Sequence, residues 1–147
     1  MSKSGMTLIV KTVVRLLFPI LLLFGAYVIL HGHITPGGGF PGGAIIATSV
    51  AMLVLAFGYG ESQEVVGEIH AEALESFGAL MLVVLGLIGV LIIASGNFLA
   101  EVPPLGKLGA LFSGGNLPIL NIGVGIKVAA GLVTIVYAMI RFQGEEK

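Results

Sequence analysis

The chain has 147 residues, of which 56% are hydrophobic and only 10% are charged, and its formal net charge is −1. A soluble globular domain has about a quarter of its residues charged, and a disordered segment is poor in apolar residues, so both classes are excluded. A charge this close to zero, without a basic block, excludes a nucleic-acid partner. Because cysteine is absent, disulfides, iron–sulfur clusters and thiolate zinc sites are excluded too, and we expect neither a cofactor nor a metal in this chain.

Four apolar segments predict four transmembrane helices, because about 20 apolar helical residues cross a bilayer core about 30 Å thick. These segments extend over about 8–30, 42–59, 74–94 and 117–140. We therefore expect an all-α, polytopic membrane protein that forms a single transmembrane domain over 1–147. The first segment could instead be a signal peptide, but no small-x-small cleavage pattern follows it, which favours a retained helix.

The distribution of basic residues predicts the orientation, because lysine and arginine are retained on the cytoplasmic side of membrane proteins. With four crossings, the two termini share one side with the acidic connection at 61–75, and the connections at 31–43 and 96–118 share the other. One basic residue, Lys107, falls on the second side. Five fall on the first side, namely Lys3, Lys11, Arg15, Arg141 and Lys147. Both termini are therefore expected in the cytoplasm.

The connection between the first two helices is the most distinctive part of the sequence, and it reads GHITPGGGFPGG over 32–43. Three of its glycines match the dinucleotide-binding pattern G-x-G-x-x-G, but that site requires a preceding strand, and an apolar helix precedes here. Glycine and proline allow sharp bends and close backbone approach. Since irregular backbone at membrane depth must be buried in protein or face a water-filled cavity, we expect this turn to contact partner subunits.

This connection resembles that of the B subunit of the Mrp-type multisubunit sodium/proton antiporters (MnhB or MrpB), in both its motif and its place between two transmembrane helices. Relatives of that subunit occur inside archaeal complexes such as membrane-bound hydrogenase. The positions that match the motif are Gly32, His33, Pro36, Gly37, Gly38, Gly39, Phe40, Gly42 and Gly43. The resemblance implies a non-catalytic subunit in the plasma membrane of a prokaryote, which works with other membrane subunits on sodium ions and protons. One departure is Asn121, which stands where some members of the family have an acid.

Three classes of function remain open. The first is a subunit that supports sodium/proton exchange by an antiporter assembly, and the second is the same module inside a redox-driven ion pump such as membrane-bound hydrogenase. The third is an autonomous transporter or a structural scaffold. Autonomous transport is the least favoured, because the sequence has no recognisable inverted repeat. Enzyme activity of this chain alone is not expected, because it has no nucleophile and base in a recognisable pair.

Lys127 is the one basic residue deep inside a predicted helix. An uncompensated charge there costs at least about 2.5 kcal/mol, so such a residue usually faces a bundle interior, a cavity or an acid. Gly123 and Gly131 lie one turn to either side and allow a second helix to pack closely. We expect no acid of this chain at the same depth, so the counter-ion is expected on another subunit or in a hydrated pathway. The alternatives are a side chain that reaches the membrane surface and a neutral amine.

An acidic stripe leads into the third predicted helix. Glu68, Glu72 and Glu75 are followed at helical spacing by Gly78 and further small residues. Near a helix N-terminus, glutamates often form a solvated face that the helix dipole favours, and this is the expectation for the first two. Glu75 borders the membrane and is a candidate to receive or release ions.

The three histidines differ in how strongly the sequence suggests a functional role. His33 belongs to the motif at a membrane boundary, where a side chain that titrates near neutral pH could relay protons, or could simply cap a helix or bond within a turn. His31 and His33 supply only half a metal site, and no cysteine or aspartate exists to complete it. His70 is expected at the surface.

Overall fold

The computed structural model describes residues 6–91 and 114–145. Its helices are α1 (Leu8–His31), α2 (Gly39–Phe57), α3 (Tyr59–Val65), α4 (Glu68–Leu91) and α5 (Leu117–Glu145). Four of them, α1, α2, α4 and α5, are long and apolar enough to cross a membrane, whereas α3 has seven residues. The predicted all-α protein with four transmembrane helices is confirmed, and these two described ranges contain no strand.

Some predicted features lie outside the described residues. These are the end of the third predicted helix at 92–94, the loop residues 96–113, and Lys3, Lys107 and Lys147. The cytoplasmic location of the termini and the organisation as a single domain stay predictions.

Two helices begin earlier in the chain than we predict. α2 begins at Gly39 instead of near 42, because a proline in the first turn, here Pro41, removes no intrahelical hydrogen bond. α4 begins at Glu68 instead of near 74. The acidic stretch expected to be a connection forms α3 and the first turns of α4, since Glu61 and Glu68 lie in first turns, where carboxylates stabilise the helix dipole.

The four long helices lie side by side in the order α1, α2, α5, α4. α4 and α5 are antiparallel, because Glu75 lies against Gly131 and Leu82 lies against Gly123. This arrangement confirms the close packing expected at these two glycines. α1 and α2 are also antiparallel, whereas the two central helices, α2 and α5, run in the same direction.

Glycines at the helix contacts allow the backbones to approach closely. A Cβ atom at Gly78 would lie 2.9 Å from the backbone nitrogen of Lys127, and one at Gly43 would lie 2.7 Å from the carbonyl oxygen of Gly125. Neither site has room for a methyl group. Small residues have this role in membrane proteins because helices that pack in lipid gain van der Waals contact from a short separation.

Tyr137 stabilises the end of the bundle where α3 meets α4. Its side chain is fully buried, and its hydroxyl donates a 2.7 Å hydrogen bond to the carbonyl oxygen of Val66. Its ring contacts that of Tyr59 edge to face, with the centroids 5.5 Å apart. The bond is made to the segment between α3 and α4, so Tyr137 fixes that segment against α5.

Glu68 takes part in the same junction. Its Oε2 accepts hydrogen bonds from the Tyr59 hydroxyl at 2.9 Å and from Gln63 Nε2 at 3.2 Å. The bond to this carboxylate raises the pKa of Tyr59 above its usual value of 10.0. The expectation of a solvated face is therefore wrong for Glu68, which connects α3 to α4, whereas Glu72 is exposed as expected.

Candidate functional site

Lys127 of α5 and Glu75 of α4 form an ion pair in which Nζ lies 3.3 Å from Oε1. The expectation that this chain has no acid at the depth of Lys127 is therefore wrong. α4 begins six residues before its predicted start, so Glu75 lies about two turns inside the helix instead of at its edge. The counter-ion of Lys127 thus comes from its own chain.

The pair lies at the depth of the lipid hydrocarbon. Lys127 follows the start of the span Leu117–Phe142 by ten residues, which is about 15 Å along a helix. That length is half the thickness of a bilayer core of about 30 Å. Pairing therefore reduces a cost that each charge would otherwise carry alone, about 2.5 kcal/mol or more.

Thr134 and Gly131 of α5 shape the site around the carboxylate. The Thr134 hydroxyl lies 3.2 Å from Glu75 Oε2 and 2.8 Å from the carbonyl oxygen of Gly131. Its single hydrogen is donated to one of these acceptors at a time. A Cβ atom at Gly131 would lie 3.0 Å from Glu75 Oε1, so the glycine provides the space that the carboxylate occupies.

Sequence reasoning missed Thr134. The signal was present, because Lys127, Gly131 and Thr134 follow one another at spacings of four and three residues and so lie on one helix face. Threonine in an apolar helix usually bonds to the preceding turn of its own backbone, and nothing in the sequence alone distinguishes that role from a contact to Glu75.

The ion pair opens onto the outer surface of the described helices. The Lys127 side chain is 46% exposed and that of Glu75 is 33% exposed. Both line a concave surface that encloses a volume of about 410 Å³, and Phe40 of α2 lines it too. The structure therefore brings together three of the predicted site residues, Phe40, Glu75 and Lys127.

The first half of the motif forms a turn between α1 and α2. Gly38 has a φ of 129°, a conformation that residues with a Cβ atom rarely adopt. Gly32 lies against the backbone of Gly38, and Asn121 of α5 lies next to both glycines. Pro36 and Gly37 are exposed. Position 121, where the resemblance implies an acid in some members of the family, is thus occupied by an amide that lies against this turn.

The second half of the motif is helical, since it forms the first turns of α2. Gly39 and Gly43 lie against α5, and Gly42 lies against Ile29 of α1. We expect a turn that contacts partner subunits, and for these three glycines that expectation is wrong, because the backbones they admit belong to helices of the same chain. Phe40, on the same turns, is 65% exposed.

His33 is buried at both of its ring nitrogens, and neither has a hydrogen-bond partner among the residues described. This observation does not decide between the two roles expected of His33, which are a proton relay and a cap or hydrogen bond within the turn. His31 stacks on Tyr27 with the ring centroids 4.2 Å apart, and His70 is exposed as expected. Within 6–91 and 114–145, no three histidine or acidic side chains lie close enough together to hold a metal ion.

Comparison with known proteins identifies relatives of the whole bundle. Residues 9–134 match the family model described as a domain related to the MnhB subunit of the Na⁺/H⁺ antiporter. An uncharacterised protein of Methanocaldococcus jannaschii is 38% identical over 133 residues, which cover 84% of this chain and 50% of that protein. The B subunit of a Na⁺/H⁺ antiporter of Bacillus subtilis is 48% identical over 50 residues, 34% of this chain and 35% of that protein.

One solved structure has the same fold. It is that of the membrane-bound sulfane sulfur reductase, an archaeal respiratory membrane complex, in which one chain is 38% identical and superimposes with a TM-score of 0.80. The match covers 95% of this chain and 60% of that chain, so this chain spans only part of the length of these relatives. With bacterial and archaeal relatives and four apolar helices, the protein is a multi-pass protein of a prokaryotic plasma membrane.

Proposed function

Because the chain belongs to the family of the MnhB subunit of Na⁺/H⁺ antiporters, we propose that it is a non-catalytic subunit of a multisubunit cation/proton antiporter assembly. In that assembly it supports the exchange of sodium ions and protons across the membrane together with other membrane subunits.

One observation carries this proposal: Glu75 and Lys127 pair seven and ten residues inside the candidate membrane spans Glu68–Ile88 and Leu117–Phe142, with both side chains partly exposed. Lipid offers such groups neither water nor hydrogen bonds, and ionisable residues in membrane helices typically line ion pathways. A carboxylate paired with an amine can take up a proton or a sodium ion when the amine moves away. Glu75, Lys127 and the Thr134 hydroxyl therefore provide a candidate relay for one of the transported ions.

His33 and the other motif residues have a supporting place in this proposal. The buried, unpartnered ring nitrogens of His33 lie in the turn before α2, whose first residues include Phe40 beside the ion pair. An imidazole ring can both donate and accept a proton, so at this position it is suited to pass protons between the membrane surface and the interior.

The distribution of charge supports the proposed orientation with both termini in the cytoplasm. Lys11 Nζ and Arg15 Cζ each lie 5.2 Å from the centre of the Phe57 ring, so the start of α1 and the end of α2 meet at one end of the bundle. Arg141, near the end of α5, belongs to that end as well. Basic residues gathered at one membrane surface favour the cytoplasmic side.

The second candidate is the same subunit inside a redox-driven respiratory complex. The specific observation in its favour is the match to a chain of the sulfane sulfur reductase complex, at 38% identity over 95% of this chain. In this case the redox reaction is carried out by other chains, and the present subunit retains its part in ion movement.

Purification from the native membrane in a mild detergent separates these two functions. We expect large antiporter-like membrane subunits to co-purify with the tagged chain, and an additional redox-active chain would assign it to a respiratory complex. A stable homo-oligomer that transports ions without any partner would contradict both.

The role of the ion pair is tested in membrane vesicles that contain the assembled complex. Lys127→Ala is expected to impair sodium-dependent proton movement per assembled complex, beyond any loss in the amount of complex. If the movement per assembled complex is unchanged, the pair has a structural role only and does not take part in ion transfer.

A further inference from the structure

The surface around the ion pair has the properties of a contact between membrane subunits. We define the pair face as Phe40, Glu75, Lys127, Leu132 and Ile135, which line one concave surface at the junction of α2, α4 and α5. We propose that a transmembrane helix of another subunit covers the pair face and places a neutral hydrogen-bond acceptor against Lys127. This inference rests on the proposed function in one respect, that the chain works in a complex.

Lys127 has more hydrogen-bond donors than the described residues pair. Its ammonium group has three N–H donors, and within the described part of the chain its one polar contact is Glu75 Oε1, at 3.3 Å. With 46% of the side chain exposed at the depth of lipid tails, the remaining donors point to a medium without acceptors unless protein or water supplies them. Polar groups at this depth are satisfied by protein or by a water-filled cavity.

The group that accepts a hydrogen bond from Lys127 on the partner helix is uncharged. Lys127 and Glu75 already neutralise each other, and Glu75 Oε2 has the Thr134 hydroxyl within 3.2 Å. A second carboxylate would leave a net negative charge in a low-dielectric region, which is costly. A hydroxyl, an amide or an unpaired backbone carbonyl accepts a hydrogen bond without that cost. These groups are the usual polar contacts between membrane helices.

The pair face is concave, with apolar margins. Gly131 lies beside the carboxylate on its floor, while Phe40 (65% exposed) and Ile135 (55% exposed) lie at its margins. Leu132 is 37% exposed on the same helix face. A depression with apolar margins and a polar floor fits a helix that brings a small polar side chain to its centre and apolar side chains to its edges.

The outer surface of α1 provides the contrast. Every exposed side chain of α1 from residue 16 to residue 26 is apolar, and Leu23 is 73% exposed. This surface has no polar group that needs a hydrogen-bond partner, so lipid tails can cover it. The two surfaces therefore predict different neighbours, lipid at Leu23 and protein at Ile135.

Site-specific photo-crosslinking in the intact complex tests this inference. The natural chain is tagged, and photoreactive benzoylphenylalanine replaces Ile135 in one variant and Leu23 in the matched control. Light is expected to join the Ile135 variant to one other membrane subunit, identified by mass spectrometry, and to give no protein product with the Leu23 variant.

A second measurement tests the hydrogen bond itself. The Glu75→Leu/Lys127→Met double change removes the N–H donors of Lys127 without adding new ones and without leaving a lone charge. We expect it to reduce the yield of the Ile135 product about three- to tenfold, the range for one polar contact between membrane helices. Lys127→Arg keeps charged donors at the site and is expected to retain most of the product.

Each remaining outcome overturns a definite statement. If partners co-purify but Ile135 gives no protein product, or a product with a second copy of this chain, the inference is wrong and the proposed function stands. Equal products from Ile135 and Leu23, or a yield that the double change leaves unaltered, also contradict it. If no partner co-purifies, the proposed function fails first.

Discussion

At the scale of single residues, Glu75 and Lys127 can lie within apolar membrane helices because their opposite charges compensate each other. Removing one of them is therefore expected to differ from removing both. A lone charge in the hydrocarbon costs about 2.5 kcal/mol or more, whereas an uncharged pair of similar volume leaves packing and charge balance largely intact.

We predict that Lys127→Met lowers the stability of the bundle in bilayers by about 2 kcal/mol, because Glu75 then lacks its counter-ion. The Glu75→Gln/Lys127→Met double change should restore most of that loss. Thermal unfolding of the assembled complex in lipid nanodiscs measures both, and Lys11→Met serves as a control because Lys11 lies near the start of α1. Equal losses for the single and the double change would show that the pair does not couple energetically.

Tyr59 makes a prediction about pH. Its pKa is raised by the hydrogen bond to Glu68, so the contribution of that bond is complete below the unfolded value of about 10 and is lost as pH rises through the higher folded value. We compare pH 9 and pH 11, which lie about one unit below and above that unfolded value. Between them, the wild-type chain is predicted to lose more stability than the Tyr59→Phe variant. Parallel thermal melts at those two values would detect the difference, and identical slopes would contradict it.

Part of the site could be predicted at this scale and part could not. Lys127 stands out because a single charge interrupts an apolar segment, and Glu75 stands out at the end of an acidic stripe. Their pairing could not be predicted, because it depends on the first residue of α4 and on the register between α4 and α5. Helix ends are poorly determined by hydropathy where the first turns are acidic, as at Glu68.

At the scale of helices, glycines determine how closely α4 and α5 approach. We predict that Gly78→Ala destabilises the bundle by about 1–3 kcal/mol, because the new methyl group would overlap the backbone of Lys127. It should also disturb the ion pair, since Lys127 moves with its backbone. Gly60→Ala is the matched control, because no neighbouring side chain and no backbone atom of another element lies within 4 Å of the position of its Cβ.

Chemical denaturation in detergent compares these two variants. Gly60→Ala should be neutral or slightly stabilising, since alanine favours a helix more than glycine does, by about 1 kcal/mol. If Gly78→Ala is equally harmless, the backbones of α4 and α5 are not in close contact.

The motif illustrates what sequence conveys about helices. Its glycines predict close backbone approach, and the structure contains that approach at Gly39, Gly42 and Gly43. Composition alone does not specify which backbone approaches, so the prediction of a partner subunit at these glycines was wrong. The α-helical start at Gly39 is the reason, because it turns three consecutive loop positions into a helix with two packed faces.

At the scale of the whole molecule, the four long helices of the described residues bury little of their surface against one another. Only 17% of the residues in the apolar windows of α1 and α4 are buried, against 44% for α2. Hydropathy predicts the four crossings because each crossing is a local property of about 20 residues. The exposure of the ion pair depends instead on the order α1, α2, α5, α4, which is a property of the assembled fold.

The central claim is that this chain contributes to ion exchange only as part of a larger assembly. Liposomes that contain either the purified chain or the purified complex test it directly, with proton movement driven by a sodium gradient as the readout. We predict exchange by the complex and none by the chain alone at equal molar amounts. Sodium-driven proton movement in liposomes that hold only this chain would contradict the claim.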